Sequence, residues 1–165
     1  MPLLVERSEI RTDSGGAGKQ RGGLGMLREV RLLDEEASYS VLSDRAVIPP
    51  YGIKGGGSAM PYKVSITRGT EEIMFDTPGK VTGYPIRKND VVVMRSAGGG
   101  GYGDPLERDP ALVCADIEKG YVSQEKAEEQ YGVILNSSGE LNVEMTSSCR
   151  EALRAKRFHI PVRID

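Results

Sequence analysis

Few side chains in this sequence are placed to do chemistry, and most of them flank glycine. Asp13 stands before the first of three glycine clusters, and Arg21 lies inside it. Tyr102 and Asp104 close the third, Ser96-Ala97-Gly98-Gly99-Gly100-Gly101-Tyr102-Gly103-Asp104-Pro105, and Lys54 edges the second. A carboxylate before a turn serves most often as a local cap for backbone N–H groups, which is the plain reading of Asp13 and Asp104. Backbone N–H groups together with Arg21 can bind an anion in a generic way. Gly18-Lys19 invites comparison with a nucleotide-binding P-loop, but position 13, where the first glycine of that motif belongs, is Asp, and Gln20 replaces the hydroxyl that would bind magnesium. An independent phosphate-binding domain is therefore not supported. The single histidine, His159, cannot build a His-rich metal site or a nucleophile–base pair. Cys114 and Cys149 are far apart and belong to no C-x-x-C pair. No paired titratable groups mark a general acid or base.

The elements that position these residues change character at the third cluster. Of 21 glycines, 15 fall in the clusters Gly15–Gly25, Gly52–Gly57 and Gly98–Gly103, each bounded by apolar strand-like runs. They read as tight loops rather than flexible linkers. Four consecutive glycines suit a place where backbone approaches backbone, or a ligand, closely. Before them the chain reads as β. Leu3, Val5 and Ile10 suggest an edge strand that starts at once, as in a unit cut from something longer or packed against a partner. For residues 26–33, helix and strand compete, and Tyr39–Ser43 tips the reading to an antiparallel pair turning at Asp34-Glu35-Glu36. Tyr62–Thr67 and Ile73-Met74-Phe75 form a hairpin about Arg68-Gly69. Gly79–Pro85 reads as a loop with a short extended piece, and Val91-Val92-Val93-Met94 as the central strand after a turn at Asn89-Asp90.

After Pro105 the chain reads as helix. Asp109-Pro110 opens a helix with Val113, Cys114 and Ile117 on its apolar face, and Gly120 closes it. Cys114 reads as core. Ser123 caps a second helix, Gln124 to Tyr131, ended by Gly132. Residues 133–135 and 141–145 read as a hairpin about Asn136-Ser137-Ser138-Gly139. Ser148 and Glu151 form a capping box for a last helix to about Arg157, with Pro161 barring its continuation. The fold class expected is α+β: a mostly antiparallel, glycine-loop-rich β domain over residues 1–105, then a helical tail with a hairpin over 106–165.

Composition bounds the rest. The 165 residues carry 22 basic and 24 acidic side chains, a formal net charge of −2, and 38% hydrophobic residues without tryptophan. Nothing in that balance favours nucleic acid or an anionic membrane. No apolar run approaches the roughly 18 residues of a membrane span, and two isolated cysteines suit a reduced, cytoplasmic protein.

Two segments together resemble the signature of a known family. Asp13-Ser14-Gly15-Gly16-Ala17-Gly18 with Arg21-Gly22-Gly23-Leu24-Gly25 is similar to one part of it in the hydantoinase B/oxoprolinase family. Gly98–Pro105, with Asp109-Pro110, Val113, Asp116, Gly120, Val122-Ser123 and Tyr131-Gly132-Val133, is similar to the other. The resemblance covers about residues 2–135 and corresponds to the C-terminal part of a much longer subunit. It implies a complex that hydrolyses cyclic amides or carboxylates ketones at the expense of ATP. The implied partners are an A-type actin-like ATPase subunit, which activates the carbonyl by phosphorylation, and a larger B-type subunit, where some members hold a divalent metal. This chain alone is expected to bind no cofactor and to complete the active-site wall or the subunit interface. Asp13, Arg21, Tyr102 and Asp104 would then position substrate or hold the neighbouring chain. Arg21 would clamp an acyl phosphate or carboxylate, or else pair with Asp13 to stiffen its loop. The alternative is a purely structural or assembly subunit with no catalytic residue.

Overall fold

The computed structural model describes residues 1–158. Seven strands come first: β1 (Leu3–Ile10), β2 (Met26–Leu32), β3 (Glu36–Leu42), β4 (Lys63–Arg68), β5 (Glu71–Met74), β6 (Lys80–Arg87) and β7 (Val91–Arg95). A single 3-10 turn, Pro105–Glu107, leads to the helices α1 (Pro110–Glu118), α2 (Gln124–Tyr131) and α3 (Val143–Phe158). The fold is α+β, as expected. His159 and the helix-stopping role expected of Pro161 lie outside the described residues.

Five strands form an antiparallel sheet in the order β1-β2-β7-β4-β5, and β3 and β6 form a second, two-stranded sheet. β7 is central, and its Val91, Val92 and Val93 are all buried. β-branched residues in succession suit a strand covered on both faces. One face of the large sheet supplies Leu32, Val64, Ile66 and Val92 to a core shared with Ile86 and Tyr62, against which Ala37, Tyr39 and Val41 of β3 pack. Phe75 meets Tyr84 edge-on there, with ring centroids 5.1 Å apart.

The expected β2–β3 pair does not form. β2 lies between β1 and β7, and β3 pairs with β6. The Asp34–Glu35 corner carries the chain from one sheet to the other. It is held by Leu32 N–H donating to the Asp90 carbonyl, Asn89 N–H to the Leu32 carbonyl, and Lys88 N–H to the Glu35 carbonyl. Residues 80–85, expected to lie in a loop with a short extended piece, are instead most of β6, which Gly79 precedes. Gly83, at φ 68°, forms a bulge whose N–H donates to Ser40 Oγ at 2.9 Å. Pro85 is tolerated because a two-stranded sheet leaves one edge of each strand unpaired.

Asp90, buried just before β7, receives Arg68 Nη2 at 2.6 Å and the Arg87 N–H at 2.9 Å. Burial acts to raise its pKa. The hydrogen bonds from Arg68 and Arg87 outweigh that and hold the carboxyl below its ordinary value.

In the tail, Asp109 Oδ1 accepts from Ala111 N–H, and Ser123 Oγ accepts from Lys126 N–H. Gly132 ends α2 in the left-handed region, at φ 61°. The expected 133–145 hairpin is reduced to one bridge, Leu135 to Leu141. α3 begins at Val143, ahead of the expected Ser148 cap, because Asn142 Oδ1 takes the Met145 N–H at 3.0 Å. Buried Thr146 then reaches back to the Ile134 N–H, which the helical path of residues 143–146 allows. The tail core joins Val113, Val122, Ala127, Tyr131 and Val133 to Ala17 of the first glycine loop, so the helices pack on glycine-rich chain.

Candidate site on a glycine bundle

The three glycine clusters lie together. The segment 96–103 bonds to both others: Gly99 N–H donates to the Gly23 carbonyl at 2.8 Å, and Gly101 N–H to the Gly57 carbonyl at 3.0 Å. In return it accepts from Gly16 N–H at Gly99 and from Ile53 N–H at Gly101, each at 2.9 Å. The first and second segments close the triangle through Gly57 N–H to the Ala17 carbonyl at 2.7 Å and Met60 N–H to the Ser14 carbonyl at 2.9 Å. Backbone segments bonded in three directions need a centre clear of side chains. A Cβ on Gly101 would lie 1.9 Å from the Ala17 carbonyl oxygen, and one on Gly22 the same distance from that of Gly99. Close approach of backbone, not positive φ, demands glycine at both positions.

The bundle fixes where the candidate residues go. Asp13 and Arg21 both reach the connection between α1 and α2. Asp13 Oδ1 accepts from Ser123 N–H at 2.8 Å, and its own N–H donates to the Tyr121 carbonyl at 3.0 Å. Arg21 pairs with Asp116 rather than with Asp13. Its Nε and Nη2 take the two carboxylate oxygens at 3.1 and 3.4 Å, its Nη1 donates to the Gly22 carbonyl, and its guanidinium lies 5.4 Å from the Tyr121 ring centroid.

Tyr102 and Asp104 stand at another place. Tyr102 is held by two backbone hydrogen bonds with Gln20, each 2.9 Å long, while the residue remains 46% exposed. Lys54 Nζ lies 5.5 Å from the centroid of that ring, a cation–π arrangement. Asp104 Oδ1 accepts from Leu106 N–H at 2.9 Å and caps the 3-10 turn. The structure thus joins Asp13 to Arg21 at Tyr121–Ser123, and Tyr102 to Lys54.

The centre of the first group is a residue that the sequence did not single out for chemistry. Asp116, on α1, also takes Arg108 Nη2 at 2.9 Å, and Arg108 Nη1 donates to the Lys19 carbonyl. Arg150 of α3 continues the chain, donating to the Arg108 and Tyr131 carbonyls. Beside them, Tyr131 is almost wholly buried, and that burial pushes its hydroxyl pKa up. The available signal was an acid three residues after Val113 on an apolar helix face. Cys114, half-buried against the tail core, has its thiol pKa raised by burial, which suits packing more than reactivity. Among the described residues no three His, Cys, Asp or Glu side chains gather as a metal site, and no helix is long and apolar enough to cross a membrane.

Known proteins share both the sequence and the fold. Residues 1–105 match the family described as hydantoinase B/oxoprolinase. A chain named as the B component of a candidate D-/L-hydantoinase, from Pseudomonas sp. (strain NS671), is 34% identical over 150 residues, covering 91% of this chain and 25% of that one. The crystal structure of ATP-dependent caprolactamase from Pseudomonas jessenii superposes with a TM-score of 0.75 at 30% identity, over 91% of this chain and 26% of that one. An acetone carboxylase in nucleotide-free form shares the fold, with a TM-score of 0.74 at 24% identity over 98% of this chain and 26% of the other. The chain spans about a quarter of the length of these relatives.

Proposed function

The chain belongs to the hydantoinase B/oxoprolinase family, and on that premise we propose that it is a non-autonomous part of an ATP-dependent complex that opens cyclic amides or carboxylates ketones. Its relatives include components of such enzymes. One observation carries the reading: the match runs over 91% of this chain yet over only 25% of a hydantoinase-type relative. Three quarters of that relative lies outside the match, and the reading assigns the chemistry to that remainder. In this reading an A-type actin-like ATPase subunit activates the carbonyl substrate, a larger B-type polypeptide performs the ring opening or carboxylation, and those partners hold ATP and any divalent metal. This chain, as a small subunit or C-terminal portion, completes the active-site wall or the subunit interface.

Within that role the four candidate residues divide. Tyr102, with Lys54 across its ring, presents a flat face with a positive charge, suited to an anionic group such as an acyl phosphate or carboxylate. The bundle beneath it supplies rigidity, which positioning requires. Asp13, Arg21 and Asp104 act through the backbone and helix ends they hold. The second reading, an assembly subunit with no residue in the site, draws its support from Arg21, whose fork is occupied by Asp116.

Turnover of the assembled complex separates the two. Tyr102→Ala and Lys54→Ala alter exposed side chains and are expected to leave folding within about 0.5 kcal/mol. If Tyr102 faces substrate, kcat/KM falls about tenfold or more while the complex stays intact. Turnover unchanged within about twofold, with assembly preserved, selects the assembly reading.

A further inference from the structure

Every residue of β1 is exposed, although the strand belongs to the main sheet. The register sorts its side chains into two unlike faces, since directly paired residues share a face. Leu3 pairs with Leu32, Val5 with Val30 and Ile10 with Met26. Val30 in turn pairs with Val92, and Val92 with Ile66. Leu32, Val92 and Ile66 are core residues beneath the β3–β6 sheet. Leu3, Val5 and Ile10, with Met26 and Val30, therefore continue the core face beyond the point where the small sheet covers it. Ser8 and Arg28, a directly paired couple, are the polar interruption on that face. Leu3, Val5 and Ile10 remain about half exposed. The opposite face carries Glu6, Arg7, Glu29 and Arg31, joined by ion pairs such as Arg31 Nε to Glu6 Oε1 at 2.6 Å. Charged side chains in that arrangement are at home in water.

We propose that the apolar stripe of Leu3, Val5, Ile10, Met26 and Val30 is the seam on which a larger B-type polypeptide packs. The proposal rests on the function proposed above and names its contact surface. Two observations select this occupant. The stripe is an unfinished part of the domain core, continuous with its buried side. The relatives carry about three times as much additional chain as this unit contributes, and that chain must seat somewhere on it. The covering element packs face-on and does not add a strand. The register shift between Val5 and Arg7, and the charges of Glu6, Arg7 and Glu9, protect the free edge of β1 from strand addition.

The test uses the complex isolated from the protein's own source. Met26 on the stripe and Met74 on the far face of the sheet are similarly exposed in this chain, at 45% and 59%. Under dilute peroxide, the complex is expected to form sulfoxide at Met26 about tenfold more slowly than at Met74. Leu3→Glu and Val5→Glu, which would bury a carboxylate in the seam, are expected to weaken association roughly 100-fold. Leu4→Glu, on the ion-paired face, should weaken it less than about threefold. Equal oxidation of the two methionines, with Val5→Glu associating as tightly as the unmodified chain, overturns the seam and leaves the proposed function standing. A stripe covered by a second copy of this chain also overturns the seam. Failure of the unmodified chain to join any B-type polypeptide overturns both.

Discussion

Gly101→Ala is expected to cost at least about 4 kcal/mol of folding stability, enough to leave a domain of this size largely unfolded. The added methyl would lie 1.9 Å from the Ala17 carbonyl oxygen, 2.5 Å from its carbon and 2.7 Å from the Gly16 carbonyl oxygen. All three are backbone atoms, so no rotamer change can make room. Nor can the segments part cheaply, because Gly101 N–H is bonded to Gly57, its carbonyl accepts from Ile53, and Gly57 N–H is bonded to Ala17. Ordinary overpacking of a core costs about 1–3 kcal/mol because side chains yield. Here they cannot. Gly23→Ala in the same bundle is the control: its Cβ would meet nothing within 4 Å, and the change should stay within about 0.5 kcal/mol. Urea unfolding of the two variants checks both. Equal effects would mean that the bundle is loose.

Asp116→Ala is the second large effect, expected at about 3–5 kcal/mol. The carboxylate joins Arg21 and Arg108, and the three side chains are only 10%, 16% and 9% exposed. Removing it strands two guanidinium groups in a site with little water, and that penalty exceeds the worth of the pairs themselves. The loss should appear as early hydrogen exchange in α1, α2 and the first glycine segment, which this contact ties together. Asp116→Asn keeps an acceptor and should cost distinctly less. Thermal unfolding indistinguishable from the unmodified chain would mean that the cluster does not hold the tail.

The helix signals were legible because they are local. Asp109-Pro110 and Ser123 with Gly132 set their own ends whatever lies nearby. The start of α3 was not, because residues 141–145 alternate like a strand and the decision falls to Asn142 and to Thr146 reaching Ile134. Strands β1, β2, β4, β5 and β7 could be read from their apolar residues, but the partner of β2 depends on contacts some sixty residues away. β6 was concealed by Gly83 and Pro85, which a bulge and a free edge accommodate. The third glycine cluster was legible as a place where backbone approaches backbone, but the tight loops expected of the clusters are instead segments bonded side by side. Their mutual hydrogen bonding was not legible, since glycine carries no side-chain pattern to announce a partner. In the candidate site, Asp104 was readable as a local cap, whereas Asp13 bonds Ser123 N–H, 110 residues away, and the partner of Arg21 lies 95 residues away and reads in sequence as an ordinary helical acid.

Native mass spectrometry of this chain, purified without a tag from its own source, tests its place in a larger enzyme most directly. The expected result is a complex with a larger B-type polypeptide and an A-type ATPase, which consumes ATP while converting a cyclic amide or a ketone. A chain that comes out alone, or only with copies of itself, would contradict that role and leave the family signature as a record of ancestry and fold.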